Sequence, residues 1–193
     1  MSAQQQQLDP TKDFKSAIVL APPEDLLTQV QSIRKLYDKA YIRWMPHINL
    51  IFPYVKLPYF DANLEKIQKV IESFPSFKIV FKELSYFKHG GNFVIWAKPE
   101  TPDNPDILVQ IQSALENALP GFNELSKKSE NGFQPHMTLG QFNGQKHAME
   151  QLKNIQSTFD PIEYEVTELY AIHRPADVPF TIRNVFKLTK KLD

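Results

Sequence analysis

Two short stretches of the chain match in the residues that can do chemistry. One reads Met45-Pro46-His47-Ile48-Asn49-Leu50 and the other Gln134-Pro135-His136-Met137-Thr138-Leu139, with the histidines 89 positions apart. Each holds a Pro-His step, an aliphatic residue, a small hydrogen-bonding residue and Leu, in that order. On a strand, residues i and i+2 share a face. His47 would then stand beside Asn49 and His136 beside Thr138, with Ile48, Leu50, Met137 and Leu139 turned away. The unperturbed imidazole pKa is about 6.5, so His can hold or release a proton near neutrality. Two imidazoles facing one substrate can divide general acid and general base work between them. The Asn49 amide and the Thr138 hydroxyl can donate to the oxygens of a phosphodiester. That chemistry requires no metal.

The elements needed to position these stretches repeat as well. An apolar run over 16–23 reads as a buried strand. A helix opens at Pro23-Glu24-Asp25 with an apolar stripe of Leu26, Val30, Ile33 and Tyr37, and HINLIFPYV follows as the first His strand. Asp61 starts a second helix (Leu64, Ile67, Ile71, Phe74) that Pro75 ends, and two strands flank the turn His89-Gly90-Gly91-Asn92. The order then begins again. A helix carries Ile107, Ile111, Ala114 and Ala118, and a polar loop over 123–132 leads to the second His strand. A helix with Ala148, Leu152, Ile155 and Phe159 precedes two closing strands, over 162–175 and 180–191. Each half gives helix, His strand, helix, strand, strand. Lys82-Glu83-Leu84 lies 35 to 37 residues after His47, and Thr167-Glu168-Leu169 lies 31 to 33 after His136.

A two-fold internal repeat of this kind predicts an α+β fold, duplicated and two-lobed. Two antiparallel sheets line a central cleft, helices pack outside, and a pseudo-two-fold axis relates the lobes. Residues 1–14 read as a flexible polar tail, and 15–193 as a single two-lobed domain with its motifs at 47–50 and 136–139.

Composition narrows the function classes. The 22 basic and 22 acidic residues balance, which excludes a strongly basic duplex-binding footprint and leaves room for a local site for a short anion. The chain has no Cys, so disulfides, thiolate metal sites and a Cys nucleophile are ruled out. It carries no Gly-x-Ser-x-Gly elbow and no Gly-rich phosphate loop. No apolar run reaches the roughly 20 residues of a membrane span. A cytoplasmic monomer is expected, with the nucleus left open.

On the two His motifs and the repeat, the chain resembles the two-histidine (2H) phosphoesterase superfamily, which includes RNA 2′-5′ ligase-like proteins and 2′,3′-cyclic nucleotide phosphodiesterases. The resemblance implies that His47 and His136 are the catalytic pair and that Asn49 and Thr138 bind phosphate. It implies a metal-independent phosphodiesterase with no cofactor. Its partner would be a short RNA or nucleotide bearing a 2′,3′-cyclic phosphate or a 2′-5′ phosphodiester. A non-catalytic nucleotide or RNA-end binding module is the alternative. Asn49 stands where Thr or Ser is usual, and Gln141 where ligase-like members often place a basic residue.

Further candidates follow from position. Trp44 and Phe133, each three residues before a motif His, could stack a base. Phe52 is expected in the core with Ile48 and Leu50. Arg174, which follows the Glu168-Leu169 strand, could supply a phosphate cation, as could Arg43 or Arg183. His89 and His147 are expected to face solvent, His173 to lie at a surface or cleft rim, and Lys127-Lys128 to be solvated.

Overall fold

The structure, a computed structural model, describes residues 11–190. It opens with the strand pair Lys12–Asp13 (β1) and, later in the chain, Tyr54–Val55 (β4). Lys12 and Asp13, assigned to the tail on composition, are thus held by an antiparallel partner; positions 1–10 of that tail lie outside the described residues.

Ser16–Leu20 (β2) is buried at every position, as its unbroken apolar run requires. A 3₁₀ turn over Glu24–Leu26 leads into Thr28–Tyr37 (α1). The first His strand is Ile48–Ile51 (β3), and Asp61–Ile71 (α2) follows it. Ile67 and Ile71 of α2 are fully buried, a contribution of roughly 1.5–3 kcal/mol each. Phe77–His89 (β5) and Asn92–Glu100 (β6) form the hairpin, which turns at Gly90 with φ of +61°. Ile107–Ala118 (α3) and the one-turn Glu124–Lys127 (α4) precede Met137–Asn143 (β7), the second His strand. Gln145–Gln156 (α5) then leads to Ile162–Val166 (β8), Glu168–His173 (β9) and Thr181–Lys187 (β10).

The larger sheets have four strands each, in the orders β10-β9-β2-β3 and β8-β5-β6-β7, and every pairing within them is antiparallel. Each His strand is an edge strand. Counting inward from it, β2 matches β6, and β9 matches β5. The Glu83-Leu84 and Glu168-Leu169 repeats therefore fall on equivalent strands. The lobes are not the two halves of the chain, however. The sheet of β3 takes β9 and β10 from the second half, and the sheet of β7 takes β5 and β6 from the first. Helices are exchanged too: α3 packs on β3, while α1 packs on β7. The exchange buries both sheets and the helices in one continuous core. The run over 162–175, read as one strand, breaks at Thr167; β8 pairs with β5 in one sheet and β9 with β2 and β10 in the other.

Candidate active site

The two histidines each sit one residue ahead of their strand, not on it. Their settings are nearly identical. His47 Nδ1 lies 2.6 Å from the Met45 carbonyl oxygen, and His136 Nδ1 lies 2.7 Å from that of Gln134. A carbonyl only accepts, so each Nδ1 carries the proton and donates it. The intervening Pro46 and Pro135 hold the preceding residue extended, which turns its carbonyl back to the ring. Each Nε2 of the neutral imidazole is left with a lone pair for chemistry.

Both His strands carry a bulge at the same motif position. Val19 faces Asn49 and Ile18 faces Ile51, so Leu50 is the extra residue; Trp96 faces Thr138 and Ile95 faces Gly140, so Leu139 is. Past a bulge the in–out alternation reverses. Asn49 therefore shares its side with the position three residues on, and so does Thr138, which brings Gln141 round to the Thr138 side. The same reversal removes Phe52 from the main core. It packs instead in a satellite cluster, edge-on to Trp44 with 5.3 Å between centroids.

A cavity of about 180 Å³ is lined by His47 and Asn49 from the first motif and Thr138 and Gln141 from the second. Arg34, Asp38 and Trp44 complete the part of its wall that carries chemistry. His136 stands beside it with its ring edge-on to Phe87 (4.8 Å) and Trp96 (5.9 Å).

Arg34 is a cavity residue the sequence did not suggest. It is 2% exposed, and its Nε donates to Asp38 Oδ2 at 2.7 Å while Nη2 donates to the Trp44 carbonyl at 2.8 Å. Asp38 Oδ1 in turn accepts from Gln141 Nε2 at 3.0 Å, and Gln141 Oε1 accepts from the Lys39 N–H at 2.9 Å. This network closes where α1 approaches β7 so tightly that a Cβ on Gly140 would fall 2.5 Å from Tyr37 Cβ. The only residue that fits there is glycine. The spacing of Arg34 and Asp38, i and i+4 on α1, was the available clue, but such pairs are usually solvent-facing.

Burial lowers the His47 pKa to about 4, with the positive charges of Arg34 and His136 adding to the effect and the Met45 carbonyl opposing it. Burial also holds His136 below its ordinary value, helped by the charge of Lys128, which is solvent-exposed as expected. Asn49 Oδ1, in the cavity lining, and Trp96 Nε1, on the ring beside His136, are buried without a hydrogen-bond partner.

The remaining candidates separate. Trp44 stacks on His47 at 4.6 Å with an interplanar angle of 16°, and Phe180 lies 3.9 Å from the same ring, so Trp44 already supports the imidazole. Phe133 packs against the main core, outside the cavity lining. Arg174 is also outside it: its backbone N–H bonds the Lys15 carbonyl, and its guanidinium folds onto Ala176, Asp177 and the Phe180 ring. The loop thus holds the expected cation away from the cavity, whose lining contains Arg34 instead. His89 and His147 are exposed, whereas His173 is 6% exposed, enclosed between β2 and β10. Among the described residues no helix is long and apolar enough to cross a membrane.

A family model described as the 2′-5′ RNA ligase superfamily matches residues 22–177. A Staphylococcus aureus (strain Newman) protein named "Putative phosphoesterase" is 28% identical over 127 residues, covering 64% of this chain and 69% of its own. The crystal structure of Escherichia coli LigT complexed with 3′-AMP superposes with a TM-score of 0.57 at 16% identity, over 94% of this chain and 100% of LigT. A Thermus thermophilus protein of known structure gives a TM-score of 0.57 at 15% identity, over 92% and 99%. These structures share the fold.

Proposed function

Because the chain belongs to the 2′-5′ RNA ligase superfamily, we propose that it is a phosphodiesterase that opens 2′,3′-cyclic phosphates or cleaves 2′-5′ linkages in short RNA or nucleotides, with His47 and His136 as its acid–base pair. The observation that carries this reading is the matched tautomer lock: each Nδ1–H is tied to a carbonyl two residues back, and each Nε2 is free. A pair prepared in one protonation pattern suits a reaction that needs the same group once as acid and once as base.

In the hydrolytic direction, one neutral Nε2 takes a proton from water as the water oxygen bonds to phosphorus. The bond from phosphorus to a ribose oxygen breaks, and the other histidine, protonated, donates its Nε2 proton to that oxygen. Charge on the non-bridging oxygens is met by the Thr138 hydroxyl, the Asn49 amide and the buried Arg34 guanidinium, all in the cavity lining. This sequence of steps draws on side chains alone. LigT has been crystallised with 3′-AMP, a nucleotide bearing the kind of phosphate that cyclic-phosphate opening produces.

A second reading, a nucleotide or RNA-end binding module, is favoured by one observation. Gln141, where a cation is common in ligase-like relatives, spends both ends of its amide on Asp38 and Lys39. A chelator-treated assay on 2′,3′-cyclic nucleotides and on 2′-5′ and 3′-5′ linked oligonucleotides separates the two. Turnover by the wild type, lost by about 10²–10⁴-fold in His47→Ala and His136→Ala, supports catalysis. Binding with no turnover in any of the three proteins supports the module.

A further inference from the structure

On the far side of the Asp38–Gln141 contact lies a second recess of about 400 Å³, lined by Leu36, Tyr37, Lys39, Phe142, Asn143 and His147 together with those two residues. Asp38 and Gln141 line both spaces, so the contact is a partition between them. Size separates their roles. The inner cavity, at about 180 Å³, is smaller than the roughly 300 Å³ at which pockets for whole small molecules begin. It can take a phosphate and part of a sugar. The rest of any nucleotide substrate must extend beyond it, and the adjoining recess is within the range for a bound nucleoside.

The chemistry of the recess suits that occupant. Leu36 is 74% exposed, the kind of apolar surface on which a base can rest, and it sits with the partly buried Tyr37 and the Phe142 edge. Lys39 and His147 are exposed at its rim and can meet a phosphate. The His147 ring is oriented by Phe142, 5.9 Å away and edge-on. None of these five side chains lines the inner cavity.

We propose that this recess is a subsite for the nucleotide next to the reacting phosphate, so that the protein prefers a short oligonucleotide to a mononucleotide. The proposal rests on the phosphodiesterase reading for the place of the reacting phosphate, and its own test is a comparison of two ligand lengths. The assay pairs a 2′,3′-cyclic mononucleotide with a dinucleotide ending in the same cyclic phosphate, for the wild type and for Lys39→Glu/His147→Ala. The expected result is a lower wild-type KM for the dinucleotide, raised about fivefold in the double variant, the order expected from reversing one exposed charge and removing one exposed hydrogen-bonding ring. The mononucleotide KM stays unchanged. Equal changes for both substrates, or an unmoved dinucleotide KM, overturn the subsite. Calorimetric titration with a 3′-phosphorylated dinucleotide and the matching 3′-mononucleotide gives a second readout that needs no turnover. A dinucleotide Kd weakened about fivefold only in the double variant upholds the subsite even if the wild type turns over neither substrate, a result that would count against the catalytic reading alone. Identical dinucleotide Kd values in both proteins overturn it.

Discussion

Asp38 Oδ1 accepts a 3.0 Å hydrogen bond from Gln141 Nε2, and this contact joins the end of α1 to the second His strand. It is made at the point where the chain leaves α1 to reach His47. The cavity depends on this junction, because Asp38 also holds Arg34, whose charge acts on His47.

Removing the junction's amide tests its weight. Gln141→Ala leaves Asp38 Oδ1 with the Ala40 N–H alone and the Lys39 N–H without its side-chain partner, and the expected loss is about 0.5–1.5 kcal/mol. Urea denaturation of the variant against the wild type reads it. A loss below about 0.5 kcal/mol would mean that water replaces the amide without penalty.

Arg34→Met strips the buried Asp38 carboxylate of its counter-ion. The expected destabilisation is about 3–5 kcal/mol. Adding Asp38→Asn removes the uncompensated charge, so the double variant should be more stable than Arg34→Met alone. If it is less stable, the two side chains are not acting as a charge pair. The same denaturation series decides it.

His47 links stability to pH. Its folded pKa of about 4 is below the unfolded value near 6.5, so between those values the unfolded chain binds more protons than the native one. Stability therefore falls as pH drops from about 6.5 to about 4, and is regained above. The full shift corresponds to about 3 kcal/mol, reduced to about 2 kcal/mol because the ring is only half-buried. His47→Gln should flatten that part of the curve; an unchanged slope would assign the effect to other groups.

The pH dependence of turnover follows from both rings. The proposed mechanism uses one imidazole protonated and the other neutral, and both pKa values lie below the ordinary one. The kcat/KM profile of the wild type should peak on the acid side of about 6.5 and decline tenfold per pH unit above its upper limb. A peak above about pH 7.5 would contradict the two depressed values.

Gly140→Ala places a methyl group where the Tyr37 Cβ already stands. Forced separation of α1 from β7 should reduce stability by about 1–3 kcal/mol or more. It should also weaken phosphate binding, since Gln141 follows directly. Thermal melting and titration with 3′-AMP would report both, and a variant as stable as wild type would show that the helix can shift freely.

Much of this architecture is written in local patterns. The buried run of β2, the stripes of α2 and α3 and the turn at Gly90-Gly91 follow from apolar spacing and glycine. The paired Pro-His steps name the two residues whose settings match most closely. Other features depend on partners distant in sequence. Nothing local tells β5 and β6 to join the sheet of β7, or a single run to divide at Thr167 between two sheets. Arg34 reads as a charged position on an amphipathic helix, and only the approach of β7 buries it. Strict alternation puts Phe52 on the wrong side because a bulge, invisible in a four-residue strand's sequence, reverses it at Leu50.

Those bulges also govern what the protein does with its own edges. β3 and β7 end their sheets, and a flat, regular strand in that place is a template for a strand from another molecule. The extra residues at Leu50 and Leu139 interrupt the even spacing of donors and acceptors that such a template requires. The kinks that turn Asn49, Thr138 and Gln141 toward the cavity thus also oppose self-assembly through the His strands, so the cavity can stay open without its walls recruiting a neighbouring chain.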